Sequence, residues 1–235
     1  MTQVTLVTGA GGALGAAMID VLADAGHTLV AFARKPGARF EAARARLGAR
    51  LFVADPELGD GAALSRALAD AEAALGPLDG AVLVAGGWRG GGLASGAGDD
   101  ATYRAMLSQN VDTVHATLGA VLPGMVARGR GSVVVVGSRA AVRPDTSAGA
   151  AAYAASKAAA VALAQAAAAE VLEHGVRVSA VLPSTIDTPQ NRAAMPEADH
   201  TRWVSPEDVA RVARFLLSDD ARAISGAAIP VYGKS

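Results

Sequence analysis

A parallel α/β sheet, doubly wound and contained in a single domain, is the fold this sequence predicts. Three observations predict it. Short apolar runs alternate with helix-period stretches along the whole chain. The runs are almost continuously apolar, as strands covered on both faces must be. A glycine-rich turn stands between the first run and the first helical stretch. The 235 residues suit one domain, read as 1–235, with no internal repeat or dividing linker.

The elements follow in order. Strands are expected at 4–7, 28–32, 50–53, 81–84, 133–136, 177–181 and 227–231, and helices near 14–25, 38–47, 60–75, 100–127, 151–173 and 205–217. Ser205-Pro206-Glu207-Asp208 is a helix start, with a capping serine, proline at the first helical position and acids facing the dipole. Gly175 after His174 is a helix stop. Two long loops, 85–99 and 183–204, stand out as functional candidates.

Composition excludes several classes. Lys plus Arg is 21 against 22 Asp plus Glu, so no bulk charge points to a nucleic-acid partner. The absence of cysteine removes disulfides, thiolate nucleophiles and cysteine metal sites. The histidines show no metal-ligand spacing, and no metal is expected. The alanine-rich stretch around 150–169 is interrupted by Ser156, Lys157 and Gln165, so no membrane span is expected. The N-terminus lacks signal-peptide features, and a cytoplasmic location is expected.

The first run ends in Thr8-Gly9-Ala10-Gly11-Gly12-Ala13-Leu14-Gly15. A helix N-terminus offers free N–H groups and a positive dipole, which suit a pyrophosphate, and glycines let the backbone approach it. A tight turn without a ligand is the bland alternative. Further on stands Tyr153-Ala154-Ala155-Ser156-Lys157. Four residues apart on a helix is one face, so an ammonium can lie beside a phenol and lower its pKa. Tyr153 could then exchange a proton with a carbonyl or alcohol oxygen. Gly137-Ser138 ends an earlier strand, at the edge where ligands bind in such sheets.

In this order, the glycine turn, Asn110-Val111, Gly137-Ser138, Tyr153 to Lys157 and Pro183 to Thr188 resemble the short-chain dehydrogenase/reductase family, which has a Rossmann-like fold. The resemblance implies hydride transfer between a nicotinamide cofactor and a carbonyl or alcohol. It implies Tyr153 as acid/base, Ser138 holding the substrate oxygen, Lys157 on the nicotinamide ribose and Asn110 holding a relay water. Gly9, Gly11, Gly12, Ala13, Leu14 and Gly15 would line the cofactor. So would Ala85 and Gly86 after the fourth strand, and Pro183, Ile186 and Thr188 after the sixth. Asp55 would contact adenine. By the same resemblance the protein would be a homo-oligomer, a tetramer or dimer.

Some loop motifs resemble the dihydropteridine reductase branch. These are Ala85-Gly86-Gly87-Trp88, Asp187-Thr188-Pro189-Gln190-Asn191-Arg192 and the following Met195-Pro196-Glu197-Ala198-Asp199. That branch lacks a serine matching Ser138 and carries an acid after the second strand. Here Ser138 is present and the strand runs into Ala33-Arg34-Lys35. An acid there would hold the ribose of NAD, whereas Arg34 and Lys35 suit a 2′-phosphate, so NADP(H) is the expected cofactor. The segment from Ser138 to Tyr153 is slightly longer than the family habit. Trp88, Asn191, Arg192 and Met195 are the expected substrate neighbours. The alternatives are reduction of a planar quinonoid ring and a non-catalytic NADP(H) sensor.

Overall fold

The valine-, leucine- and alanine-rich runs form seven strands in the computed structural model, which describes residues 3–93 and 100–234. They are β1 (Val4–Thr8), β2 (Thr28–Phe32), β3 (Leu51–Ala54), β4 (Gly80–Leu83), β5 (Gly131–Val136), β6 (Val176–Pro183) and β7 (Ala228–Val231). All pair in parallel, in the order β3-β2-β1-β4-β5-β6-β7. Parallel neighbours need crossovers, and helices supply them. These are α1 (Ala13–Asp24), α2 (Ala38–Leu47), α3 (Gly61–Leu75), α4 (Asp100–Leu107), α5 (Thr113–Arg128), α6 (Ala151–Val171), α7 (Pro189–Ala194) and α8 (Pro206–Leu217).

Side chains alternate across the sheet and build a core on each face. Leu6, Val133 and Val135 pack with α3, α5 and α6, while Val7, Val134 and Val136 pack with α1, α2 and α8. Phe40, Leu6 and Ile19 are among the largest fully buried side chains. Each such burial is worth about 1.5–3 kcal/mol. Alanine's high helix propensity supports α6, whose buried Ala160, Ala164 and Ala168 allow close approach to the sheet. With its 3-10 extension α6 is long and apolar enough to cross a membrane, but Ser156, Lys157 and these alanines pack it into the core.

Helix ends follow their chemistry. Ser205 caps α8 by accepting from Asp208 N at 3.0 Å, with Pro206 first in the helix. Gly175 takes the left-handed conformation that ends the α6 extension. The carbonyls in and after the last turn of α8 are gathered by one guanidinium: Arg177 donates to Leu216, Ser218, Ala221 and Ile224.

Two expectations need correction. The predicted helix 100–127 is α4 and α5 joined by a π-helical turn over Ser108–Asp112. The predicted loop 183–204 contains α7, which starts at Thr188-Pro189 with the Thr188 hydroxyl accepting from Asn191 N at 3.1 Å. Residues 94–99 of the other long loop lie outside the described residues.

Winding reverses between β1 and β4, which are neighbours while β2 lies on the other side of β1. The crevice at their carboxyl ends is where such sheets bind ligands.

Candidate active site

The glycine turn is shaped by what cannot fit in it. Gly9 has φ +64, and a Cβ there would stand 2.9 Å from the Cα of Ala85. A Cβ on Gly15 would collide with the Gly9 carbonyl. The backbone is thus drawn against the end of β4, where Ala85 N donates to the Thr8 hydroxyl at 3.2 Å. Gly12 begins α1 without a side-chain cap, and the first turn carries no acid. Its N–H groups and dipole suit an anionic group, and the residues present fit the phosphates of a dinucleotide. Ala13 and Leu14 form the first turn of that helix.

Asn110 sits in the π-helical turn, fully buried. Its Oδ1 accepts from Gly87 N at 2.9 Å, and its Nδ2 donates to Gly87 O at 3.0 Å and to the Ser156 hydroxyl at 3.0 Å. Ser156, also fully buried, donates to the carbonyl of Tyr153 at 2.8 Å. One buried chain of hydrogen bonds therefore runs from the loop after β4 to the first turn of α6. Gly86 lies over it: a Cβ there would stand 2.6 Å from Asn110 Oδ1 and 3.3 Å from Lys157 Nζ.

Tyr153 and Lys157 share one face of α6, as the spacing predicts. Ser138 follows β5, where its hydroxyl accepts from Ala140 N at 3.2 Å and favours the ionised form of the Tyr153 phenol. Two 3-10 turns, Arg139–Ala141 and Pro144–Thr146, take up the longer connecting segment. Lys157 donates to the carbonyl of Val136 at 3.0 Å. Burial pushes its pKa down to about 8. Burial also raises the Tyr153 phenol above its ordinary value, while the Ser138 hydrogen bond pulls the other way. The expected lowering of the phenol by Lys157 is absent here, because desolvation outweighs the hydrogen bond and the ammonium is held by the strand carbonyl.

The remaining predicted residues fall around this centre. Arg34 and Lys35 are exposed just past β2, with no ion-pair partner among the described residues. The Lys35–Pro36 backbone packs against Gly11 of the turn. Asp55 is exposed after β3. Pro183 ends β6, and Ile186 pairs with Val204 across the base of the next loop.

In that loop the side chains expected near substrate have local work. Asn191 Nδ2 donates to Ile186 O at 2.8 Å, and Arg192 forms a two-pronged ion pair with Asp187 at 2.5 and 2.7 Å. Met195 and Trp88 are exposed, Trp88 by 66%. An open hollow of about 550 Å³ lies between Gly91, Leu93, the segment 140–149 and the Ala151–Ala158 flank of α6. Its walls include Ala140, Ala151 and Ala154, close in the chain to Ser138 and Tyr153, but not those two residues or Lys157.

Sequence reasoning does not single out Thr8 or Ser156. A polar residue closing an apolar strand, and a serine beside the lysine, are the signals that mark them.

The model of the short chain dehydrogenase family matches residues 3–199. The chain is 35% identical to the inactive 2-(S)-hydroxypropyl-CoM dehydrogenase 2 of Xanthobacter autotrophicus, covering 87% of this chain and 93% of that one. It is 34% identical to the L-tagatose-forming galactitol 2-dehydrogenase of Cereibacter sphaeroides, covering 97% and 92%. Among solved structures, an oxidoreductase of the short chain dehydrogenase/reductase family from Burkholderia thailandensis superposes with a TM-score of 0.85 at 35% identity, covering 99% of this chain and 92% of that one. With this sheet order, this glycine turn and these matches across nearly its whole length, the chain belongs to the short-chain dehydrogenase/reductase family.

Proposed function

We propose that this protein is an NADP(H)-dependent oxidoreductase that interconverts a carbonyl and a secondary alcohol, working as one domain in the cytoplasm with Tyr153 as its acid/base. The observation that carries the reading is the placement of Tyr153 and the buried Lys157 one turn apart on α6, beside Ser138 at the end of β5. The nicotinamide supplies or accepts the hydride. The glycine turn from Gly9 to Gly15, with Ala85, Gly86, Pro183, Ile186 and Thr188, holds the dinucleotide. In the reductive direction Ser138 orients the carbonyl oxygen and Tyr153 donates its proton to that oxygen. A phenol whose pKa is raised stays protonated at neutral pH, which suits a donor. Lys157, buried beside it, holds the ribose and brings positive charge to the site. Asn110 fixes the loop after β4 through Gly87.

NADP(H) is favoured over NAD(H) by Arg34 and Lys35, exposed and without carboxylate partners among the described residues. A guanidinium can pair with a 2′-phosphate through two parallel hydrogen bonds. A turnover screen of ketones and secondary alcohols with both cofactors tests the reading. Turnover with a higher kcat/KM for NADPH supports it, and equal or better efficiency with NADH refutes the cofactor choice. Tight NADPH binding without turnover of any substrate points instead to a sensor.

A dihydropterin-type substrate is the second reading, supported by the loop motif from Asp187 to Arg192. Its residues cap α7 and brace the loop, which gives them a role without a pterin. Assembly as a tetramer or dimer belongs to the same proposal. Small exposed residues on α5 (Gly119, Ala127) and α6 (Ala155, Ala162, Ala166) permit close packing of a second copy. A monomeric mass by light scattering would count against it.

A further inference from the structure

Arg139 follows Ser138 directly, at the start of the 3-10 turn that leaves β5. It is half-buried, and among the described residues its guanidinium has neither an ion pair nor a side-chain hydrogen bond. The guanidinium carbon lies 5.8 Å from the ring centroid of Tyr232. Tyr232 is itself tied to the root of the loop after β6, because the Ser184 hydroxyl donates to its carbonyl at 2.7 Å. The arginine thus leaves the chain beside Ser138 and carries its cation to Tyr232, whose backbone is tied to the base of that loop. Its neighbour Arg143 is committed to Asp145 by two hydrogen bonds. The positive charge of Arg143 is locally balanced, and that of Arg139 is not.

A guanidinium with no carboxylate partner keeps its N–H donors available to an anion. The Tyr232 ring gives that cation an aromatic neighbour and leaves its N–H donors for a ligand. We propose that Arg139 recognises an anionic group on the substrate, a carboxylate or a sulfonate, and so directs the enzyme towards keto acids and hydroxy acids. This rests on the carbonyl–alcohol reading of the same site and narrows its substrate class. Guanidinium pairs two oxygens of one carboxylate or sulfonate through two parallel hydrogen bonds, which gives the selection its strength.

The test compares 4-oxopentanoate with its methyl ester, using the full chain and NADPH. The ratio of kcat/KM for the acid over the ester is the readout, since a purely structural role of Arg139 would change both alike. In the wild type the acid should be preferred. In Arg139→Met the ratio should fall roughly 10- to 100-fold, the loss expected for a hydrogen-bonded charge pair. Arg139→Lys should fall in between, keeping the charge and losing the fork. Calorimetric titration of 4-oxopentanoate into the enzyme–NADPH complex is the second readout. If neither compound is reduced but the acid binds through Arg139, the anion site stands and the hydride-transfer reading fails. An ester preferred or equally used by the wild type, an Arg139→Met ratio that does not move, or binding of the acid that ignores Arg139 overturns the proposal.

Discussion

The start of α6 and the loop from Ser184 to Val204 border the same crevice and are held in opposite ways. Around Tyr153 the bonds are long-range and buried: Asn110 of the π-helical turn reaches Ser156, and Lys157 reaches back to β5. In the loop, beyond its anchor from Ser184 to Tyr232, the side-chain bonds are short-range and lie at or near the surface. Arg192 pairs with Asp187, Asn191 returns to Ile186, and His200 meets the Met195 carbonyl at 2.9 Å. Bonds that tie distant segments cannot shift without moving the sheet. Bonds within one loop can be rewritten without touching it. On the proposed reading, acid–base chemistry rests on the frame, and the loop can change independently of it.

Removing the proposed proton donor tests the rigid half most severely. Tyr153→Phe keeps the ring packed and should lower kcat by about 10²- to 10⁴-fold while NADPH affinity holds. Near-normal turnover in steady-state assays would take Tyr153 out of the mechanism.

The pH profile is the next largest effect. Burial sets the Lys157 pKa at about 8, so the ammonium loses its proton as pH rises through that value. Its positive charge is needed in the proposed mechanism, so kcat/KM for NADPH should be flat below about 8 and fall roughly tenfold per unit above it. Tyr153, displaced upward, keeps its proton over that range and does not cause the fall. A profile level to pH 10 would separate Lys157 from cofactor binding.

Ser156→Ala cuts the buried chain between Asn110 and the Tyr153 carbonyl. Leaving that carbonyl without its hydroxyl partner should cost about 1–3 kcal/mol in urea unfolding. Turnover should drop several-fold with little change in KM. An equally large rise in KM would move Ser156 to the substrate side.

The smallest effect belongs to the loop. Arg192→Ala and Asp187→Ala each release the same exposed pair, so both should change KM by roughly twofold or less, and alike. A rise in KM for Arg192→Ala alone would show that Arg192 meets substrate.

The same contrast explains what the sequence made legible. Strands covered on both faces are continuous runs of valine, leucine and alanine, and β2 and α2 lie where their patterns place them. Tyr153 and Lys157 were readable because one helix carries both. The π-helical turn was not, since Asn110 finds its partners at Gly87 and Ser156, far away in sequence. The α7 helix was overlooked although Thr188-Pro189 is the same start signal as Ser205-Pro206; only six residues follow it, too few for a periodic pattern. The bracing of Arg192 by Asp187 was hidden because an exposed arginine in a loop reads equally well as a ligand contact.

The π-helical turn over Ser108–Asp112 also records something about chain length. A π turn is an α-helix holding one residue more than its hydrogen-bond pattern needs. Each residue turns an α-helix by about 100°. Deleting Val111 should let α4 and α5 fuse into one continuous rod, with much the same helix content. The residues after the deletion would then be turned by about that angle relative to α4. Asn110 could keep its bonds to Gly87 and Ser156, or α5 could keep its packing against α3, but one uninterrupted helix could not satisfy both. In this protein the aim of one amide is set by a count of residues, and an insertion or deletion there acts as a rotation.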